Sequence, residues 1–182
     1  PGAAFYIPTE NEWYKAAYYS PVKGGVGSPG YYAYATQSDS APGNIIGSGT
    51  NQANWRTGAG YSVTQSVTTS PSQNYLTDVG AFTSSESFYG TFDQSGNVYN
   101  WIDLDGVAGS SGLLRGGYWG DQASFALSSS DNFNVFDLSS EYAFTGFRLA
   151  SPVAVPEPST WVMAGVGIAC AGWGAFRRRK QA

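Results

Sequence analysis

Glycine and aromatic residues dominate this sequence, and together they limit the folds open to it. The chain has 24 glycines, and 16% of its 182 residues are Phe, Trp or Tyr, whereas only 12% are charged. Disorder is excluded, because disordered chains are rich in charge and poor in aromatic residues. Stretches of Gly, Ser and Pro separate short apolar segments. We therefore expect a compact α+β domain whose short elements and long loops are packed together by aromatic side chains.

Histidine is absent, and cysteine occurs once, at Cys170. Within this chain, that composition excludes histidine-based acid–base catalysis, Ser-His-Asp and Cys-His triads, and zinc sites built from His and Cys. It also excludes an intrachain disulfide. The net charge of −4 argues against nucleic-acid binding, because such proteins need a basic surface.

The charge is divided unevenly along the chain. Residues 1–155 contain 12 acidic and five basic residues, a net charge of −7. Residues 156–182 contain one acidic and four basic residues, a net charge of +3. The sequence therefore combines an acidic, aromatic body with a basic C-terminal tail.

The tail has the pattern of a membrane anchor. Residues 161–176 are uncharged, and four basic residues follow: Arg177, Arg178, Arg179 and Lys180. As a helix, the run spans about 24 Å, somewhat less than a hydrocarbon core of ~30 Å. We predict a transmembrane helix over 161–176 and a basic cytoplasmic tail over 177–182, with the body outside the cytoplasm. The alternative is a buried core helix, which four consecutive cations at the chain terminus disfavour.

A short motif precedes the apolar run. Pro156, Glu157 and Pro158, the run itself and the basic cluster occur in the order that resembles the PEP-CTERM sorting signal of Gram-negative bacteria. The resemblance implies export, transient anchoring in the inner membrane with the body in the periplasm, and processing by an exosortase. The body would then reach the cell surface or the extracellular space. Residues 152–160 would be the linker. A signal peptide would be needed, and since the chain begins at Pro1 we expect its N-terminal start to be missing.

The body begins with a clear helix signal. Thr9 and Glu12 have the spacing of a capping box, and Trp13, Ala16 and Ala17 follow at helical intervals, which predicts a helix over about 10–19.

The rest of the body is predicted to be poor in helix. Strands are expected at 61–69, 113–119 and 144–150, and a short apolar element at 79–82. Irregular structure is expected over 20–50 and 120–143, where turn-forming residues are frequent.

Four local motifs occur in one order along the body. They occupy residues 7–13, 96–101, 114–119 and 146–150. In this order they resemble the formylglycine-generating enzyme and sulfatase-modifying factor family. The resemblance implies an irregular C-type-lectin-like fold of the formylglycine-generating subtype over residues 1–151, with its first portion missing.

The family's activity depends on a cysteine pair that binds copper and activates oxygen. The pair would lie between the third and fourth motifs, and residues 120–145 contain no cysteine. Cu(I) requires soft thiolate ligands, which serine cannot replace. We therefore expect no copper and no formylglycine formation, and the sequence favours a non-catalytic member of the family.

The second motif resembles the family's calcium loop. The resemblance implies ligation by the side chains of Asp93 and Asn100 and by the backbone carbonyls of Gly96 and Val98. Calcium prefers carboxylate and carbonyl oxygens, and Asn100 stands where the family has Glu, which should weaken affinity. Asn54 resembles part of a second calcium site. The alternative is that Asp93 and Asn100 only form hydrogen bonds within a turn.

Two further groups of residues have both a binding and a packing interpretation. Arg115 and Arg148 could bind an anion, or could tie carboxylates and carbonyls into the fold, which we favour. The tyrosines of the first third of the chain could stack on sugars, or could fill a core that has few helices, which we also favour. They are Tyr18, Tyr19, Tyr31, Tyr32 and Tyr34.

Three functions fit these features. The first is an exported, non-catalytic binding domain that recognises a polysaccharide or a protein through loops 120–143. The second is a sulfatase-modifying oxidoreductase that works without the cysteine pair. The third is a structural component of a matrix or biofilm with no defined ligand.

Overall fold

The structure, a computed structural model, describes residues 5–102, 111–130, 135–137 and 142–152. One compact unit covers Ile7–Ala150, and a second unit combines Pro1–Tyr6 with Ser151–Ala182. The described helices and strands lie in the first unit. In chain order they are α1 (Glu10–Tyr18), β1 (Tyr19–Ser20), β2 (Gly30–Tyr31), β3 (Tyr99–Ile102), β4 (Ser111–Arg115), a 3₁₀ helix (Ser124–Leu127), β5 (Val135–Asp137) and β6 (Thr145–Phe147).

The start of helix α1 agrees with the helix start that the sequence predicted. The Thr9 hydroxyl accepts a hydrogen bond from the Glu12 backbone amide, and the Glu12 carboxylate accepts one from the Thr9 amide at 2.9 Å. This capping box satisfies amides that a helix start would otherwise leave unpaired. The helix ends at Tyr18 and buries Trp13, Ala17 and Tyr18. Its position is therefore fixed by a local signal at one end and by an apolar face along its length.

Strands β3 to β6 form one mixed sheet in the order β5-β4-β3-β6. The β4–β3 and β4–β5 pairs are antiparallel, and β3 pairs with β6 in parallel. In this register Asn100 lies opposite Arg115 on one side and Gly146 on the other. The second, third and fourth sequence motifs are thus neighbouring strands of one sheet.

The strand predictions at 113–119 and 144–150 are correct in position but too long. Strand β4 ends at Arg115, where Gly116 and Gly117 take positive φ angles of 94° and 73°. A side chain at Gly116 would place its Cβ atom 2.8 Å from the Gln94 carbonyl oxygen, so only glycine fits there.

The strand predicted at 61–69 is wrong, because this segment is a series of turns and bends. Gln65 has a φ of 51°, and its backbone amide donates to the Tyr61 carbonyl at 2.8 Å. Its side-chain amide donates to Asn44 and Ser62 carbonyls. These local bonds replace a strand ladder, so the β-branched residues express no strand preference here.

Two other segments differ from expectation in smaller ways. Residues 79–82 form turns rather than a regular element, although Phe82 is buried. The segment 120–143, expected to be irregular, contains the 3₁₀ helix and β5. Strand β5 depends on pairing with β4, a long-range contact that its own sequence does not signal.

The segment 20–50 is irregular, as predicted, apart from the two-residue pair of β1 and β2. The tyrosine rings around it contact one another: Tyr14 lies 4.9 Å from Tyr18 and 5.3 Å from Tyr31, and Tyr19 lies 5.1 Å from Tyr31. Tyr18 and Tyr34 are buried. Burial agrees with packing, the favoured interpretation, for Tyr18 and Tyr34, whereas Tyr31 is 48% exposed although its ring contacts its neighbours.

The described core contains two clusters of buried residues, and other buried apolar residues lie outside both clusters. The first joins α1 to the sheet and consists of Trp13, Ala17, Tyr18, Ala35 and Ile102. The second joins the loops to the 3₁₀ helix and consists of Tyr34, Ala53, Trp55 and Leu127. Aromatic side chains are prominent in both, as the composition suggested.

Nearly all of the predicted linker (152–160) and all of the predicted membrane helix (161–176) and basic tail (177–182) lie outside the described residues. In the part of the chain that the structure describes, no helix combines the length and apolar character that crossing a membrane requires. The transmembrane helix stays a prediction.

Candidate functional site

The four sequence motifs meet at one place in the fold. The Asn100 side-chain oxygen accepts a hydrogen bond from the Trp13 indole at 3.1 Å and another from Arg148 Nε at 2.8 Å. Trp13 lies on α1, Asn100 on β3, and Arg148 directly after β6. A single buried amide therefore joins the first, second and fourth motifs.

The third motif joins the first through an ion pair. Arg115, at the end of β4, donates from Nε to Glu10 at 3.0 Å and makes a second bond through its terminal nitrogen to the other carboxylate oxygen. The Arg115 guanidinium also lies 5.3 Å from the centre of the Tyr14 ring. We call Glu10, Trp13, Asn100, Arg115 and Arg148 the motif junction. Its contacts agree with the favoured structural role for both arginines.

The predicted calcium loop lies beside this junction. Asp93 has a φ of 57°, and its Oδ2 atom accepts a hydrogen bond from the Gly80 amide at 2.9 Å. Burial raises the Asp93 pKa, while the Gly80 amide and the Arg148 guanidinium act in the opposite direction. Burial lowers the pKa of Arg148, opposed by Asp93. Arg148 also donates to the Phe92 carbonyl. Among these contacts, the Arg148 guanidinium supplies the positive charge that acts on the Asp93 carboxylate.

The oxygens predicted to bind calcium are largely engaged within the protein. Asn100 Oδ1 has two donors, Trp13 and Arg148, and the Val98 carbonyl accepts from Asn100 Nδ2 at 3.1 Å. Asp93 Oδ2 accepts from the Gly80 amide. Calcium takes about six to eight oxygen ligands and benefits from carboxylates. Among the described residues, no group of three or more His, Cys, Asp or Glu is placed to hold a metal.

This arrangement does not fit calcium well, because a guanidinium already contacts the principal amide oxygen of the proposed ligand set. Calcium at residues 93–100 stays a prediction, and the hydrogen-bonded alternative agrees better with the contacts.

Asn54, the residue proposed for a second calcium site, is different. It is 1% exposed, and its Nδ2 donates to the Tyr75 carbonyl at 2.9 Å and to Asn97 Oδ1 at 3.0 Å. Its Oδ1 atom is buried and accepts no hydrogen bond from any described residue. Buried polar atoms normally have a partner, so a water or a cation would satisfy this oxygen.

A groove that the sequence did not predict lies on another part of the surface. Its volume is about 470 Å³, and none of the described residues that line it is charged. Tyr75 and Trp119 form one wall, with ring centres 4.9 Å apart and planes inclined by 15°. Tyr61 packs against Tyr75 at 4.6 Å. The polar lining residues are Thr69, Ser70, Gln73 and Asn74. We call these four residues together with Tyr75 and Trp119 the aromatic groove.

Hydrogen bonds hold the wall in place. The Tyr75 hydroxyl accepts from the Ser70 amide at 2.8 Å, and the Tyr75 carbonyl accepts from Asn54. The Trp119 amide donates to the Asn97 carbonyl at 3.1 Å. Tyr75 is 6% exposed, whereas Trp119 is half-buried and lines the groove. The groove is therefore a preformed surface with one partly accessible indole.

The third motif pointed to Trp119, but nothing in the sequence singled out Tyr75. The two residues are distant in the chain and are brought together by long-range contacts that include the Asn54 and Asn97 bonds, so no local pattern could have paired them. Ligand recognition was expected from residues 120–143. Among the described residues of that segment, only Ala143 lines the groove, and residues 69–76 contribute most of it.

A carboxylate lies behind the Trp119 wall. The Tyr118 ring packs edge-on to Trp119 at 5.5 Å, and the Tyr118 amide donates to Asp121 Oδ2 at 2.9 Å. Burial raises the Asp121 pKa, while bonds from the Tyr118 amide and the Tyr99 side chain act in the opposite direction. Burial, followed by the Asp121 charge, raises the Tyr118 pKa.

Comparison with known proteins agrees with both resemblances. Residues 3–153 match the family of the sulfatase-modifying factor enzyme 1-like domain, and this range includes all four motifs. The chain belongs to the sulfatase-modifying factor family. Residues 154–180 match the PEP-CTERM protein-sorting motif, which implies export, sorting to the envelope and processing by an exosortase.

Two solved structures similar to this family member are those of longer proteins. The crystal structure of CarF aligns with a TM-score of 0.51 at 23% identity, covering 85% of this chain and 49% of CarF. Treponema denticola variable protein 1 aligns with a TM-score of 0.46 at 22% identity, covering 81% of this chain and 47% of that protein. This chain spans about half the length of each. No curated protein matches it. The likeness to CarF, together with the mixed sheet and the scarcity of helix in the described residues, confirms the α+β prediction.

Proposed function

We propose that this protein is an exosortase-sorted envelope or extracellular protein whose sulfatase-modifying factor domain binds a ligand without catalysing a reaction. Family membership supports the identity of the domain, and the sorting motif supports export and processing by an exosortase. The single cysteine, Cys170, falls in the sorting motif, and residues 3–153 contain neither cysteine nor histidine. The soft ligands that the family's copper chemistry requires are therefore absent from the matched domain.

The proposal includes finer points of architecture and location. The domain has the irregular, C-type-lectin-like form of the formylglycine-generating subtype. Residues 161–176 span the inner membrane while the body is in the periplasm, and processing near Glu157 releases the body to the surface or the extracellular space. A polysaccharide or a protein in that space is the ligand.

The observation that carries the binding role is the aromatic groove. Ligand sites are typically preformed concavities of about 300–1,000 Å³ with an apolar wall and a few polar groups. The groove has this size, a stacked aromatic wall and a rim of hydroxyl and amide side chains. The rim side chains are exposed, although Ser70 also bonds to Ser72 and Gln73 to the Asn74 carbonyl. The motif junction, by contrast, directs its polar groups at one another in a largely buried position.

The test is a binding assay with the purified full chain against a panel of envelope polysaccharides and surface proteins. We expect at least one to bind, and we expect Trp119→Ala to abolish that binding. Tyr89→Ala is the matched control, because Tyr89 is an exposed aromatic residue that does not line the groove. Absence of binding to every member of the panel would contradict the proposal, as would equal loss in both variants.

The catalytic alternative has a separate test. Co-expression with a peptide that carries the sulfatase recognition motif, in the presence of copper, should leave the peptide cysteine unmodified in mass spectra. Formation of formylglycine would overturn the non-catalytic assignment. The matrix alternative predicts no defined ligand, and specific binding that depends on Trp119 would exclude it.

A further inference from the structure

We infer that the aromatic groove binds an uncharged glycan chain. This inference rests on the proposed binding function and goes further, because it selects one chemical class from the ligands that the binding proposal leaves open. Three properties of the groove carry it: its aromatic wall, its charge and its backbone.

The wall offers a flat apolar face with a rigid backing. Tyr75 stacks on Trp119, and Tyr61 packs against both rings, at 4.6 Å from Tyr75 and 5.8 Å from Trp119. Trp119 is the half-buried member of this set and lines the groove. A pyranose ring has one face formed mainly by C–H groups, which packs on an indole as other apolar surfaces do. A buried, hydrogen-bonded support means that little ordering entropy is lost on binding.

The rim supplies polar groups of the kind that recognise sugar hydroxyls. Thr69, Ser70, Gln73 and Asn74 all have exposed side chains. Hydroxyl and carboxamide groups both donate and accept hydrogen bonds, as sugar hydroxyls do. Around a single aromatic platform, this set complements a ring that is apolar on one face and polar at its edge.

Charge disfavours anionic chains. None of the described residues that line the groove is charged, and residues 1–155 have a net charge of −7. Polyanions such as nucleic acids or uronic acid polymers bind through Lys and Arg. The nearest arginine identified at the wall, Arg56, contacts the Tyr61 ring at 5.3 Å and does not line the groove. An uncharged chain is therefore the better electrostatic match.

The backbone argues against an extended peptide. Peptides in grooves commonly add a strand to an exposed sheet edge, so that their amides and carbonyls are paired. Residues 69–76, which supply most of the groove, contain no strand. A peptide would have to leave many main-chain groups to water or to side chains, whereas a glycan has none to satisfy.

The test is calorimetric titration of the full chain with hexasaccharides. The neutral probes are cellohexaose, xylohexaose, mannohexaose and maltohexaose, and the anionic probe is hexagalacturonate. We expect at least one neutral probe to bind and the anionic probe to bind more weakly. Trp119→Ala should weaken binding about tenfold or more, since stacking on one aromatic ring has effects of this size. Gln73→Ala should weaken it by a smaller factor, and Tyr89→Ala should leave it unchanged.

A second substitution at the same position controls for loss of folding. Trp119→Phe retains an aromatic face, so it should keep the melting temperature close to that of the parent and weaken binding less than Trp119→Ala does. Binding of the anionic probe alone, or neutral-probe binding that Trp119→Ala leaves intact, would overturn the inference. If the panel proteins bind through Trp119 and no glycan does, the glycan inference fails and the proposed binding function stands. If nothing binds, both fail.

Discussion

The motif junction and the aromatic groove use similar residue types for opposite purposes. In the junction, the Trp13 indole, the Asn100 amide and the Arg148 guanidinium are directed at one another, and the Arg115–Glu10 pair closes the same region. In the groove, the side chains of Gln73 and Asn74 are exposed beside a half-buried indole.

The difference separates what identifies the family from what a family member can bind. The four motifs are recognisable because their residues make long-range contacts within the fold, not because they form a reactive centre in this chain. A member without the cysteine pair can therefore keep all four motifs. Ligand recognition, in this view, depends on residues such as Tyr75 that belong to none of them.

The largest expected effect comes from replacing one tryptophan by alanine in each of the two regions and comparing the variants. Trp13 is 1% exposed, and Trp13→Ala should lower the free energy of unfolding by about 3–5 kcal/mol, because it removes a large buried ring and leaves a cavity. Trp119→Ala should cost clearly less stability and should abolish ligand binding instead. Chemical denaturation together with the glycan titration measures both properties. Equal destabilisation by the two substitutions would remove the distinction between the regions.

The junction also allows a test of the calcium prediction. Arg148→Met should lower the free energy of unfolding by about 1–3 kcal/mol, because Asn100 and the Phe92 carbonyl lose a charged donor and Asp93 loses its nearest positive charge. For the parent protein, we expect a melting temperature that does not change on chelation of calcium, since the guanidinium already occupies the predicted loop.

The control is calcium itself. A ligand that binds only the folded state raises the melting temperature with concentration. A fall on chelation that added calcium restores would show that the metal binds after all, and Asn54→Ala would then locate it. Loss of the calcium effect in Asn54→Ala but not in Asp93→Asn would assign the metal to the buried Asn54 oxygen rather than to residues 93–100.

The sequence predicted well the features that depend on neighbouring residues. Helix α1 follows from Thr9 and Glu12, three positions apart. The strand predicted at 113–119 has the correct position, but it ends at Arg115 because Gly116 and Gly117 take positive φ angles. The strand at 61–69 was wrong because a strand needs a partner, and the amides of this segment find local acceptors instead.

The candidate site shows the same limit. The resemblance selected Asn100, but its partner Trp13 is 87 positions away, and the contact follows from the fold rather than from any spacing. Tyr75 and Trp119 are held together by the Asn54 and Asn97 bonds, which have no signature in the sequence. A groove built from such contacts becomes visible only in three dimensions.

A smaller effect should follow from removing the N-terminal cap of helix α1, the helix that contributes Glu10 and Trp13 to the motif junction. Thr9→Ala removes the capping oxygen, and it should lower the free energy of unfolding by about 1 kcal/mol. Asn11→Ala, at an exposed position of the same helix, is the matched control and should be nearly neutral. Ligand affinity should not change in either variant, because the cap is part of the framework. If Thr9→Ala lowered ligand affinity at a temperature where the domain is fully folded, that result would show that the motif junction and the aromatic groove are energetically coupled.

The smallest expected effect is a change in pH dependence at Asp121, which lies behind the groove wall. Since burial raises its pKa in the folded state, the folded protein holds this proton to a higher pH than the unfolded chain does. The carboxyl group therefore contributes a decrease in the free energy of unfolding as the pH rises between the ordinary and the raised pKa. Asp93, also raised, contributes in the same direction.

Asp121→Asn should reduce this dependence without removing it, because Asp93 remains. The variant should match the parent at acid pH, where Asp121 is protonated, and should be slightly more stable near neutral pH, where the parent must bury a charge. Chemical denaturation over a pH series measures the difference. A steeper loss of stability with rising pH in the variant than in the parent would show that the bonds from Tyr118 and Tyr99 favour the carboxylate more strongly than burial disfavours it. The groove wall would then be stabilised by a charged residue, as the motif junction is. At Asp121, the two regions would therefore use their charged side chains in the same way.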